Sequence, residues 1–160
     1  GKFKEKDLED RIVSHLQAFM LELGYGFTFV GRQQRLSLNK DYYVDLMFYN
    51  RKLRALVAIE LKTEPFQPAF IGMLNFYLEI MDDTMRMDDE NPSIGILLCT
   101  EKDELEVEYA LRAASRPMGV VKYATLGESP KDFSKYLPSP EQLKQQIAAV
   151  KQAFREEGKK

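Results

Sequence analysis

A chain of 160 residues, 44% hydrophobic and 30% charged, has the balance of one globular domain with enough apolar matter for a core. Its formal charge of −2 and pI near 5.6 exclude an overall basic field, so a nucleic acid would have to be gripped by a local patch or by a companion module. A single cysteine excludes an internal disulfide framework and a cysteine-based zinc cage, no apolar run has the length of a membrane span, and a soluble, reducing, cytoplasmic setting is expected. There is no signal peptide, and the opening Gly1 in place of Met is what a module cut from a longer protein would show.

Over residues 7–23 the apolar positions Leu8, Ile12, Leu16, Phe19, Met20 and Leu23 recur at helical spacing, and Gly24 stands where a glycine stops a helix. Residues 27–38 begin aromatic and β-branched and then turn polar, which predicts one strand, bent or bulged near Gly31. DYYVDLMFYN and LRALVAIELK predict two strands of an antiparallel hairpin across Asn50, Arg51 and Lys52. A loop with Pro65 and Pro68 leads to a helix over residues 69–81, and the apolar run SIGILLCT, residues 93–100, predicts a buried central strand. A helix over 104–114 ended by Pro117 follows, then a strand over 119–126. Ser139, Pro140 and Gln142 then offer an N-cap, an N1 proline and a capping-box partner to a helix with the stripe Leu143, Ile147, Val150 and Phe154. The expected order is αβββαβαβα. The final stripe would cover either the domain's own sheet or a homodimer surface.

The chemistry sits on the hairpin. A turn centred on Arg51 and Lys52 places Asp45 opposite Ala58 and diagonal to Glu60. Alternation then assigns Tyr42, Val44, Leu46, Phe48, Val57, Ile59 and Leu61 to a core face, and Asp45, Met47, Glu60 and Lys62 to a site face. Two carboxylates at that separation can share one divalent cation, and hard oxygen donors suit Mg²⁺ or Mn²⁺. Lys62 can orient a water or stabilise charge developing on a phosphate. A slip of one residue would part the carboxylates, whereas a slip of two would keep them together. Glu-x-Lys on a strand also occurs as a solvated ion pair, so the weight lies on the conjunction of strand Asp, Glu-x-Lys and an apolar opposite face. Arg32, Gln33 and Arg35 are candidates for meeting phosphate.

The blocks FVGRQ, DYYVDLMFYNR, VAIELK, NFYL, NPSIGILLC and VEYAL resemble the YhcG-like family of PD-(D/E)XK nuclease domains of bacteria, over about residues 8–138. The resemblance implies an α/β fold with a restriction-endonuclease-like αβββαβ core, a central mixed sheet flanked by helices. It implies that Asp45, Glu60 and Lys62 are the catalytic motif, that the Leu61 carbonyl also faces the metal, and that Glu9 on the first helix is an outer acidic ligand. The sequence departs from the family at Met73, where a Gln is expected, and Asn75 is the candidate to compensate. The whole chain, 1–160, is then one nuclease-like domain with its core at about 7–137 and a C-terminal helix at about 140–157. The expected function is Mg²⁺- or Mn²⁺-dependent endonucleolytic hydrolysis of DNA in restriction, repair or defence, beside a companion N-terminal domain and away from membranes. The alternative is a weakened nuclease-fold module that binds nucleic acid or a protein partner without cutting.

Overall fold

Strand patterns that alternate on the first three segments and run continuously apolar on the fourth produce one mixed sheet with helices on both faces. The structure, a computed structural model, describes residues 2–99, 104–112, 118–122, 125–126 and 135–158. In chain order it has α1 (Lys2–Glu22), β1 (Phe27–Ser37), β2 (Asp41–Asn50), β3 (Ala55–Leu61), α2 (Pro68–Thr84), β4 (Ile94–Cys99), α3 (Glu104–Arg112), β5 (Met118–Lys122), β6 (Thr125–Leu126) and α4 (Pro140–Glu157). The strands lie side by side in sequence order. β1 to β3 are antiparallel, β3 to β5 parallel, and β6 turns back antiparallel on β5. This is the expected α/β core, a mixed sheet flanked by helices, except that the single strand expected over 119–126 is two strands, β5 and β6, paired antiparallel. The strand expected over 119–126 includes residues 123–124, which lie outside the described residues, as do Thr100 and the 113–117 segment with Pro117.

α1 buries Ile12, Leu16 and Met20 against Leu46, Phe48, Val57 and Ile96, and stops before Gly24, whose φ of 72° suits a residue without a Cβ. The capping box of Ser139 and Gln142 starts α4, which packs Leu143, Ile147 and Val150 into the same cluster. The stripe that also allowed a homodimer surface is therefore used within the chain. On the other face α2 buries Leu74, Leu78 and Met81 against Met47, Ala58 and Leu97. There it lies directly on the backbone of β4: a Cβ on Gly95 would stand 2.8 Å from Leu74 Cδ2. Among the described residues no helix is long and apolar enough to cross a membrane.

The expected bulge is present, with the β1–β2 register shifting between Phe29 and Gly31. Two expectations need correction. First, the turn after β2 occupies residues 51–54, not Arg51 and Lys52 alone, and Met47 rather than Asp45 faces Ala58. Buried Asn50 dictates this. Its Oδ1 accepts from the N–H groups of Lys52 and Leu53 at 3.0 Å, Leu53 is tucked into the core, and Arg54 closes the turn at φ 52°. Second, the face assigned to the site alone is itself core under α2, and Tyr42 and Val44 pack on that side with Met47 rather than with Leu46. Strict alternation cannot put positions 44 and 47 on one side, so the pleat of β2 is broken around Asp45.

Asn50 also donates to the carbonyls of Tyr25 and Tyr136, at 3.3 and 3.2 Å. Asn50→Ala removes these bonds and leaves buried backbone groups unmatched, so a loss of about 3 kcal/mol is expected in urea unfolding. A loss below about 1 kcal/mol would show that water replaces the amide without difficulty.

Candidate active site

Continuing the β2–β3 register one rung past Leu46 and Ile59 brings Asp45 level with Glu60. The regular ladder ends at that rung, and side chains take its place. The Asp45 N–H donates to Glu60 Oε1 at 2.8 Å, and the Leu61 N–H donates to Asp45 Oδ2 at 2.8 Å. Each carboxylate is thus held by a backbone amide at or beside the other. The two-residue difference from the expected register keeps both acids together and brings them closer than the diagonal placement would.

Gln33 holds the remaining oxygen of the Asp45 carboxyl: its Nε2 donates to Oδ1 at 2.8 Å. Its backbone lies at φ 48°, a sparsely populated region for a residue with a Cβ, opposite the break in β2. The expectation that Gln33 meets phosphate misses this role. A polar residue just past a bulge and across from a strand Asp is the signal that was available.

Lys62 follows at the end of β3, where its N–H donates to the Leu98 carbonyl at 2.8 Å and extends the parallel ladder to β4. Its ammonium stands over the ring of Phe70 on α2, 5.5 Å from the centroid. Phe70, Met73 and Tyr77 lie three and four residues apart, so they share one stripe of α2. Tyr77 at the far end of that stripe feels both acids: burial first, then Glu60 and Asp45, push its hydroxyl pKa up. The site therefore lies between the end of β3 and α2, with Met73 on the same α2 stripe. Asn75 is two residues from Met73 and so about 200° around the helix, which does not place it on that stripe.

Glu60 is only 4% exposed. Burial and then the neighbouring Asp45 charge raise its pKa to about 8, against smaller opposing effects of the Asp45 N–H and Lys62. Such a displacement at a cleft is a recognised mark of a functional carboxyl.

The other candidates are placed elsewhere. Among the described residues no group of three or more His, Cys, Asp or Glu side chains is arranged to hold a metal ion, so half-buried Glu9 does not complete a triad with Asp45 and Glu60. Arg32 is tied to α1 through Ser14 Oγ and the Asp10 carbonyl, and Arg35 pairs with Asp41 at 3.8 Å on an exposed edge. His15 contacts Gln146 Oε1 at 2.5 Å between α1 and α4.

The chain is similar to known proteins. The family model for the YhcG PDDEXK nuclease domain matches residues 1–138. The Escherichia coli (strain K12) protein named "Putative nuclease YhcG" is 37% identical over 158 residues. That alignment covers 98% of this chain, which spans 39% of the relative's length. Among solved structures, a repair endonuclease from Pyrococcus abyssi is 15% identical, with a TM-score of 0.46 over 62% of this chain and 42% of that one. An EndoMS–dsDNA2 complex is 16% identical, with a TM-score of 0.48 over 74% and 45%.

The displaced carboxyl gives a prediction. Between its ordinary 4.5 and about 8, Glu60 keeps its proton in the folded chain and loses it in the unfolded one. Stability therefore falls as pH rises through that window and stays lower above it. Without divalent cations, Glu60→Gln should be more stable than the parent above pH 8, on the order of several kcal/mol, with the difference fading towards acid pH. Urea titrations across the window check this, and a difference independent of pH would show that Glu60 is ionised throughout.

Proposed function

The chain belongs to the YhcG PDDEXK nuclease domain family, and from that premise we propose that it is a divalent-cation-dependent endonuclease acting on DNA in restriction, repair or defence. The observation that carries this is the reciprocal arrangement of half-buried Asp45 and buried Glu60, two carboxyls fixed side by side through backbone amides and followed by Lys62.

The donor set fits Mg²⁺ or Mn²⁺: two carboxylates and the Leu61 carbonyl are hard oxygen donors, and a bound cation would offset the closeness of the two acids. Asp45, Glu60 and the Leu61 carbonyl would hold the ion, which when bound polarises a phosphoryl oxygen and lowers the pKa of an attached water. The protein's own groups do the rest. Gln33 and the Leu61 N–H fix the rotamer of Asp45, so its oxygens need no reorganisation when substrate arrives. Lys62, steadied by the Phe70 ring, brings positive charge to the phosphate as negative charge builds on its oxygens. The wall of α2 limits water around the acids and strengthens these charge interactions.

Two further parts of the reading follow from charge and composition. With a net charge of −2, and with Arg32 and Arg35 engaged within the chain, a companion domain is needed to grip duplex DNA. A reducing cytoplasm suits the single, buried Cys99. A second reading, a weakened module that binds without cutting, is favoured by Met73, because a thioether on the cleft wall cannot donate a hydrogen bond as an amide would.

Cleavage of labelled DNA in Mg²⁺ or Mn²⁺ tests the main reading. Asp45→Asn should abolish both cleavage and Mn²⁺ binding, and Lys62→Ala should lower cleavage by roughly two orders of magnitude with metal affinity kept. Parent Mn²⁺ binding should release close to one proton at neutral pH, because Glu60 must ionise. Cleavage by Asp45→Asn at the parent's rate would sink the assignment. Met73→Gln should raise single-turnover cleavage about ten-fold, or about 1.4 kcal/mol, the scale of one hydrogen bond. A several-kcal/mol loss of stability without gain in rate would make Met73 a packing residue instead.

A further inference from the structure

An aromatic cluster joins β2, three residues before Asp45, to α2. Tyr42 of β2 meets Phe76 of α2 edge to face, with centroids 5.2 Å apart, and Tyr77 lies 6.0 Å from Tyr42 and 6.4 Å from Phe76. Tyr42 and Tyr77 both pack on the α2 side of the sheet, and Tyr77 lies on the α2 stripe of Phe70, whose ring meets Lys62, so the cluster continues that wall outward. Tyr42 and Tyr77 are half-buried, whereas Phe76 is 42% exposed. The Lys40 ammonium stands 5.5 Å over the Tyr42 ring, which puts a mobile cation at the same rim. An exposed phenylalanine braced by two tyrosines, with a cation beside it and phosphate chemistry next door, has the makeup of a stacking platform for a nucleobase. A paired base in a duplex offers no free face to such a ring, while an unpaired base offers one at little cost. The low overall charge argues the same way, since stacking supplies affinity where phosphate contacts are few.

Resting on the nuclease reading above, we propose that Phe76, braced by Tyr42 and Tyr77, stacks an unpaired base of the substrate beside the Asp45 and Glu60 cleft, so that the enzyme favours single-stranded or locally unpaired nucleic acid over continuous duplex. Lys40 contacts the phosphate next to that base.

The test uses the whole chain carrying Asp45→Asn, which separates binding from cleavage, and oligonucleotides containing 2-aminopurine in single-stranded or fully paired form. Binding of the single strand should change the 2-aminopurine fluorescence as the base stacks. Adding Phe76→Leu keeps the apolar volume but removes the aromatic face. It should weaken single-strand binding about ten-fold, at the low end of what one stacked base is worth, and leave duplex binding and the melting temperature unchanged. In the otherwise unaltered chain Phe76→Leu should raise KM for single strands with kcat retained. The proposal is overturned if Phe76→Leu binds single strands as tightly as its parent, or if it weakens duplex and single strand equally. Should the parent fail to cut any substrate while fluorescence still reports stacking on Phe76, the nuclease reading falls and the base-stacking site stands.

Discussion

Where β2 and β3 should exchange their next pair of ladder bonds, two carboxyls intervene. The Asp45 amide turns to Glu60 Oε1 and the Leu61 amide to Asp45 Oδ2. This satisfies amide donors that burial would otherwise leave without partners, and it ends regular pairing at Leu46 and Ile59. It also fixes both acids at the backbone rather than at the ends of mobile side chains. The break in the pleat of β2 and the left-handed backbone of Gln33 are gathered around this one point. Local strain of this kind persists only where the surroundings over-determine it, and here both core layers do so.

Those layers have unequal duties. α1 and α4 seal one face of the sheet with a continuous apolar cluster, and α1 holds Arg32, the neighbour of Gln33, through Ser14 and Asp10. α2 seals the other face and is also the cleft wall. Its Leu74, Leu78 and Met81 are core, while Phe70, Met73 and Tyr77 on an adjacent stripe meet or border the acids and Lys62. The close approach of this helix to the β4 backbone at Gly95 makes its position stiff. A wall that cannot drift keeps Lys62 and Tyr77 at fixed separations from the acids.

Burial of Glu60 beside the Asp45 carboxylate opposes stability. Glu60 is driven towards its neutral form, so the folded chain is less stable at neutral pH than it would be with an amide there. Positive groups near the sheet are either committed, as Arg32 and Arg35 are, or set at the cleft rim, as Lys62 and Lys40 are.

Element types and order were legible in the sequence because periodicity and caps are local properties. The stripe of α1 ending at Gly24, the capping box of α4, the bulge near Gly31 and the wholly buried β4 all follow from near neighbours. Asp45, Glu60 and Lys62 could be named as a group because a two-residue error in register leaves them on one face. The register itself, the break in β2 and the role of Gln33 were not legible. The turn length depends on a buried Asn50 whose amide reaches the carbonyls of Tyr25 and Tyr136, distant in the chain. The sequence by itself determined which elements form and that Asp45, Glu60 and Lys62 fall on neighbouring strand positions. Only the tertiary structure decided how the acids face each other and what surrounds them, because hydrogen bonds between remote segments set that alignment and no local pattern records them.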